Sequence, residues 1–331
     1  MNALARHIEV FSEQRLVVLG DLVADEYVSG TTSRISREAP VLIVREEHRA
    51  LRPGAAANAA ANLRALGGAP RPVGLIGDDA DGAALLRDLQ QRDIDCSGIV
   101  SARGRRTARK TRILAGGRNT VRQQMLRLDR LAEQPDAGLR GELVARLRAA
   151  LDGAAGLVVS DYGEGVVADE VFAAVLAAAR DGVAVFVDSR FRIADFHGVA
   201  ALTPNEPELA AATGIELDGG LAAVERAGRS LLERTGAAAA LIKRGRAGMA
   251  LLQPEAELVP LPAFGSREIA DVTGAGDTVL AAWSLARAAG AAPVDAMRLA
   301  NIAGGLQVTK AGTAVVSGEE LSAAIDRDGL P

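Results

Sequence analysis

The chain has 331 residues, 49% hydrophobic and 24% charged, which is ample for the core of one α/β domain or a pair of domains. A net charge of −4 and only 3% aromatic residues argue against nucleic acid or an anionic membrane as partner and against a base-stacking platform. The single Cys96 excludes an internal disulfide framework and a Cys-rich zinc site.

The N-terminal stretch MNALARHIEVFSEQRLV has scattered charges and no apolar h-region, and no later apolar run approaches the ~20 residues of a membrane span. A cytoplasmic protein is expected. Arg15–Gly20 (RLVVLG) reads as a short buried strand ending at Gly20-Asp21. Further short strands are expected over 26–30 and 40–47. Pro53-Gly54 is expected to open an Ala-rich helix over 55–66, closed by Gly67-Gly68.

From there strands near 71–76, 156–159, 184–187, 200–202 and 238–242 alternate with helices near 80–92, 139–151, 168–180, 206–213 and 220–235. Helices near 275–289, 293–309 and 318–326 follow. Alternation of this kind predicts βαβ units, a mostly parallel central sheet and helices on both faces. Segments 21–50 and 105–127 break the pattern, and are expected to form a small second sheet over one edge of the first. A single domain over 1–331 is expected.

The most informative stretch is Asp271-Val-Thr-Gly-Ala-Gly-Asp277-Thr278, a Gly-rich turn running into a helix. Backbone N–H groups at such a helix start suit a phosphoryl group. Asp277 in the first turn can take a proton from a hydroxyl beside that anion site, and the helix dipole is expected to keep it ionised. The same pattern is also that of an ordinary helix start with a favoured Asp. It is neither a dinucleotide fingerprint, since Val279 stands at the third glycine, nor a Walker A loop.

DVTGAGDT, with RPGAAANAAANL near residue 55, resembles the two signatures of the PfkB/ribokinase family of sugar kinases. Within that family the strings GDLVADEY, SRISREAPV, TARKTRIL, RLD at 127–129, SDYGEG, LTPNEPEL, KRGRAGM and Asn301 with its neighbour Ala300 are most similar to heptose 7-phosphate kinases, which phosphorylate O1. The resemblance implies a three-layer α/β/α ribokinase-like fold with a small β lid built from 21–50 and 105–127. It implies ATP and Mg²⁺ as cofactors, K⁺ as a further ion, and a sugar or sugar phosphate as ligand; because lid strands with exposed edges often pair between subunits, a homodimer through them is expected. It also implies Asp277 as general base, with Gly274, Ala275 and Gly276 as the anion hole.

For the sugar the resemblance implies Asp21, Asp25, Gly54 and Asn58; the alternatives are a turn Asp, a solvated charge, a glycine turn and a first-turn Asn. Ala55 stands where the family usually has a second glycine. For the nucleotide it implies Asn205, Lys243, Gly245, Gly248 and Asn301. It implies Glu208 near Mg²⁺ through water, and Asp271 and Thr273 near a monovalent cation. Asn205 and Glu208 are also spaced as a capping box, and Lys243 also reads as a surface charge.

No acid interrupts the chain between Asp95 and Asp129, where Arg103, Arg105, Arg106, Arg109, Lys110, Arg112, Arg118, Arg122 and Arg127 lie. These are either solvated strand charges or holders of a substrate phosphate; TARKTRIL and RLD single out Lys110, Arg112 and Arg127 for the second role. Three positions depart from the heptose-kinase strings. Glu26 and Glu164 replace basic residues, and Asp188-Ser189-Arg190 replaces Asp-Pro-Lys. The acidic changes motivate a second reading, a kinase of an unphosphorylated sugar or nucleoside. A third is a sugar-binding sensor without turnover. The chain ends at Pro331, so an adenylyltransferase half fused to some relatives is not expected.

Overall fold

The computed structural model describes residues 3–117, 122–265 and 270–327. Arg118 therefore lies outside the described residues. The chain runs α1 (Ala3–Glu9), β1 (Arg15–Gly20), β2 (Leu22–Ile35), β3 (Leu42–Ala55), α2 (Ala56–Ala65), β4 (Ala69–Gly77), α3 (Ala80–Gln91), β5 (Ile99–Ala102), β6 (Ala108–Gly116), β7 (Gln123–Arg130) and α4 (Ala137–Leu151). It continues β8 (Gly156–Asp161), α5 (Asp169–Arg180), β9 (Val185–Ser189), β10 (Ala201–Leu202), α6 (Glu206–Thr213), α7 (Leu221–Thr235), β11 (Ala240–Lys243), β12 (Met249–Leu252), β13 (Val259–Leu261), α8 (Ala275–Ala288), α9 (Pro293–Gln307) and α10 (Gly318–Arg327).

Nine strands make one sheet in the order β13-β12-β11-β10-β9-β8-β1-β4-β5. It is parallel from β5 to β11; β12 runs against the rest, so that its pairings with β11 and β13 are antiparallel. The sequence of β1 explains its interior position: Leu16 and Val18 point into one core and Val17 and Leu19 into the other, so both faces must be covered. α2, α8 and α9 cover the first face and α4, α5 and α7 the second. The result is a three-layer α/β/α arrangement, the mostly parallel sheet with helices on both faces that the alternation of elements predicts.

The second sheet has the order β3-β2-β6-β7. β2 and β3 are 14 residues each, far longer than the short strands expected at 26–30 and 40–47. Much of β3 is exposed, so no core imposes an apolar alternation that would mark its length. Pro53 and Gly54 end β3 rather than opening α2. Ala55, at the junction, holds φ 52° and ψ −128°, a conformation that disfavours a side chain. β5, β12, β13 and α1 were not expected; each is short enough to leave little periodic signal.

Candidate active site

The carboxyl ends of the parallel strands carry Asp21 after β1, Asp161 on β8, Asp188 on β9 and Lys243 on β11. Open parallel sheets bind ligands at this end. α8 begins here. Its N-cap is Gly274, at φ 83°, and no side chain caps the helix. A Cβ at Gly274 would lie 2.7 Å from Asn58 Nδ2, so only glycine lets the turn approach α2 this closely. Ala275 N–H turns back to Val272 O at 3.2 Å, which leaves Gly276 and Asp277 to present the open end of the helix.

Asp277 is buried and gripped on both oxygens. Asn58 Nδ2 donates to Oδ2 at 2.8 Å, and the Tyr162 hydroxyl donates to Oδ1 at 3.0 Å. Asn62 steadies Asn58 through its carbonyl and side-chain oxygens at 2.9 and 3.2 Å, and accepts from Thr278 Oγ1 at 3.0 Å. Burial raises Asp277 to about 7; the Asn58 and Tyr162 hydrogen bonds oppose this, while Asp188 and Asp25 reinforce it. The helix start was expected to keep Asp277 ionised. Burial outweighs that dipole and poises the group near neutrality instead.

The small sheet meets this site with one face. Cross-strand partners share a face, which groups Arg52, Asp25, Lys110 and Asp129 in one row and Ala50, Tyr27, Arg112 and Arg127 in the next. Arg112 Nη1 lies 2.9 Å from Asp25 Oδ1, and its guanidinium sits over the Tyr27 ring. Burial pushes Asp25 up, against the pull of Arg112. A Cβ on Gly54 would stand 2.7 Å from Asp25 Cγ, so Gly54 makes the room that Asp25 occupies. Lys110 lies 5.0 Å over the Tyr162 ring and 3.9 Å from Glu164. Arg127 is more exposed and held by both oxygens of Asp129 at 2.8 Å.

Glu26 faces the other way. It binds Arg49 at 2.6 Å and the Thr111 hydroxyl at 2.7 Å, with Arg109 at 3.6 Å. Of the two acidic departures, only Glu164 lies beside the cations of the inner face. Asp21 follows β1 as expected and is also engaged within the protein. Its carboxylate accepts the N–H groups of Tyr162, Glu164 and Val166 at 2.8, 3.1 and 3.2 Å, which fixes the turn after β8. Burial, then Asp161, raises it to about 6 against those three bonds.

On the other side of the α8 start, Lys243 Nζ pairs with Asp188 at 2.6 Å. Burial works against its charge, but Asp188 and Glu208 outweigh burial and leave its pKa raised. Asn205 and Glu208 form a reciprocal capping box, both bonds 2.8 Å. Asn301 donates to Pro262 O at 2.8 Å. Gly248, at φ 89°, packs so near Leu261 O that a Cβ would sit 2.1 Å away, whereas Gly245 faces open space. Asp271 accepts from Thr273 N at 2.9 Å and Gly312 N at 3.1 Å, tying the Gly-rich turn to the loop after α9.

Residues 13–319 match the pfkB family carbohydrate kinase domain. The chain belongs to the pfkB family of carbohydrate kinases. This pfkB kinase is 42% identical over 323 residues to "Bifunctional protein HldE" of Caulobacter sp. (strain K31), across 97% of this chain and 64% of that protein. It is 38% identical over 317 residues to the same-named protein of Trichlorobacter lovleyi, across 95% and 63%. It thus spans somewhat less than two thirds of the length of these relatives. Its fold is that of Arabidopsis thaliana ribokinase complexed with ribose and ATP (TM-score 0.72, 21% identity, 94% and 98% of the two chains). It is also that of Escherichia coli phosphofructokinase-2 in complex with substrates and products (TM-score 0.77, 18% identity, 95% and 98%). Among the described residues no helix is long and apolar enough to cross a membrane.

Tyr162 was not singled out from sequence. Yet the chain has only two tyrosines, Tyr27 and Tyr162, and both lie under cations at this site. That scarcity was the available signal.

Proposed function

We propose that this kinase moves the γ-phosphoryl group of ATP to a hydroxyl of a phosphorylated sugar, heptose 7-phosphate to heptose 1,7-bisphosphate being the reaction its strings favour. The observation that carries the reading is the sheet register: Lys110 and Arg112 share the face that holds Asp25 opposite Asp277. Those cations and Arg127 hold the acceptor's phosphate, while Asp25 and Asn58 bind its hydroxyls. Asp277 accepts the proton of the attacking hydroxyl. The backbone N–H groups of Gly276 and Asp277 receive the negative charge of the transferring group, whereas that of Ala275, expected with Gly274 and Gly276 in the anion hole, is spent on Val272 O. The small sheet acts as a lid that excludes water.

Lys243, Asn205, Gly245, Gly248 and Asn301 line the nucleotide side in this reading. Glu208 keeps one carboxylate oxygen free of the capping box, and oxygen donors of this kind suit the water shell of Mg²⁺. Among the described residues no trio of His, Cys, Asp and Glu is set for direct coordination, which favours that outer role. When bound, Mg²⁺ supplies charge neutralisation on the phosphates. Asp271 and Thr273 offer oxygen atoms for K⁺ beside the turn. The exposed apolar residues Leu42, Ile43, Leu126 and Leu128 on the outer strands β3 and β7 support a homodimer through the lid, which light scattering tests.

Glu164 near Lys110 is the observation that favours an unphosphorylated sugar or nucleoside instead. The deciding assay is ADP release with Mg·ATP and K⁺ over heptose 7-phosphate, heptose, ribose, fructose, fructose 6-phosphate and adenosine. Turnover confined to heptose 7-phosphate supports the proposal. Preference for an unphosphorylated acceptor transfers the reading to the second class, and sugar binding without any ADP release to a sensor.

A further inference from the structure

The base is held by a residue that also touches the lid. Tyr162 follows β8, and its backbone N–H is anchored by the buried Asp21 carboxylate at 2.8 Å. Its hydroxyl donates to Asp277 Oδ1 at 3.0 Å. Burial and the nearby Asp277 push the phenol well above its ordinary range, so it stays protonated and keeps this donor role. The face of the same ring carries Lys110 Nζ at 5.0 Å, brought by β6 of the small sheet. One rigid side chain therefore touches a cation of the lid at its face and the carboxylate of the main sheet at its tip.

We propose that Tyr162 is the positioning residue of Asp277, and that Lys110 seated on its ring ties this positioning to the placement of the lid. The inference rests on the phosphotransfer reading and adds a connection between the two sheets. Asp277 has two oxygens, and Asn58 holds one of them. Without Tyr162 the carboxyl can turn about its terminal bond, so the lone pair meant for the hydroxyl loses its direction. Asp277 also loses a donor that favours its ionised form. The charged and titratable groups facing Asp277 are Asp25 from β2, Asp188 from β9, Lys243 from β11 and Tyr162 itself. Of these, Tyr162 donates a hydrogen bond to the carboxylate and is the one that Tyr162→Phe removes. Lys110 adds a cation over the ring, which strengthens the hydroxyl as a donor.

The test uses the full chain. Carboxyl ¹³C NMR follows the Asp277 titration in wild type, Tyr162→Phe and Lys110→Met, and steady-state kinetics follows whichever acceptor the wild type uses. Tyr162→Phe keeps the ring, and a thermal melt verifies the fold. The proposal expects the Asp277 titration to rise by about one unit in Tyr162→Phe. It expects kcat to fall about tenfold or more with the KM for ATP unchanged. Lys110→Met should lower kcat in the wild-type background and much less in the Tyr162→Phe background. An unchanged titration in Tyr162→Phe overturns the positioning role. Independent, multiplicative effects of the two substitutions on kcat overturn the tie to the lid. If the wild type phosphorylates no acceptor, the phosphotransfer reading fails, and the NMR titration still decides whether Tyr162 holds Asp277.

Discussion

Asp277→Asn separates two consequences of burying the carboxyl proposed as base. The carboxyl rises from 3.8 to about 7 on folding, chiefly through burial. At about 1.4 kcal/mol per unit, the ionised group costs the folded state about 4 kcal/mol at pH 8. The sign follows from proton binding. Between 3.8 and about 7 the folded chain holds a proton that the unfolded chain has released, so stability is fullest at low pH and is lost as pH rises through 7. Asparagine removes the charge and keeps both partners. Its oxygen accepts from Asn58, and its NH₂ faces the Tyr162 hydroxyl, which can turn to accept. The variant is expected to be more stable than wild type by about 2–4 kcal/mol at pH 8, with the gain falling by more than half at pH 5. Its turnover should drop by roughly 10²–10⁴. Urea denaturation at both pH values and an ADP-release assay measure these effects. Wild-type turnover in the variant, or an equal stability gain at pH 5 and pH 8, would refute the reasoning.

In the proposed role Asp277 must be ionised to accept a proton, so kcat/KM for the acceptor should fall about tenfold per unit below pH 7, measurable in a pH series. Gly54→Ala places a Cβ against Asp25 and should raise the acceptor KM about tenfold or more while the melting curve stays near wild type. Ala55→Gly should stabilise the fold by about 1 kcal/mol in urea denaturation, because glycine adopts the backbone of this junction without strain. Arg112→Met should raise the KM for a phosphorylated acceptor, and Glu26→Gln should leave it within about twofold, since their side chains lie on opposite faces of the small sheet.

Much of the main sheet was legible because burial writes a regular pattern. The helix at Glu206–Thr213 has its start marked by Asn205 and Glu208 and its end by Gly214, and the expected span coincides with the observed one. The α8 start was equally legible, since Gly274 and Asp277 stand in an order that suits a phosphoryl site. The small sheet was read as strands but not to length: on an exposed ribbon such as β3 the residues answer to water, and polar and apolar positions do not alternate cleanly. β12 and β13 were missed because strands of four and three residues carry almost no period.

The site was harder to read where a single position decides a direction. Asp25 and Glu26 are neighbours with like charge; the family resemblance implies Asp25 at the sugar, and Glu26 stands as an acid replacing a basic residue. On a strand they must point apart, and the pairing of Asp25 with Lys110 and of Glu26 with Thr111 says which points where. The concern that Glu26 repels a phosphate then falls away, because its charge is spent on Arg49 and Arg109 on the far face. Asp21 gives the opposite lesson. It sits where α/β folds place ligand contacts, and its oxygens also accept three backbone N–H groups of the turn after β8. Those partners lie about 140 residues away in sequence, and no local pattern announces them. By fixing that turn, Asp21 also sets Tyr162 under Lys110 and against Asp277. Besides the sugar contact expected of it, Asp21 is thus joined to Asp277 through the backbone and side chain of Tyr162.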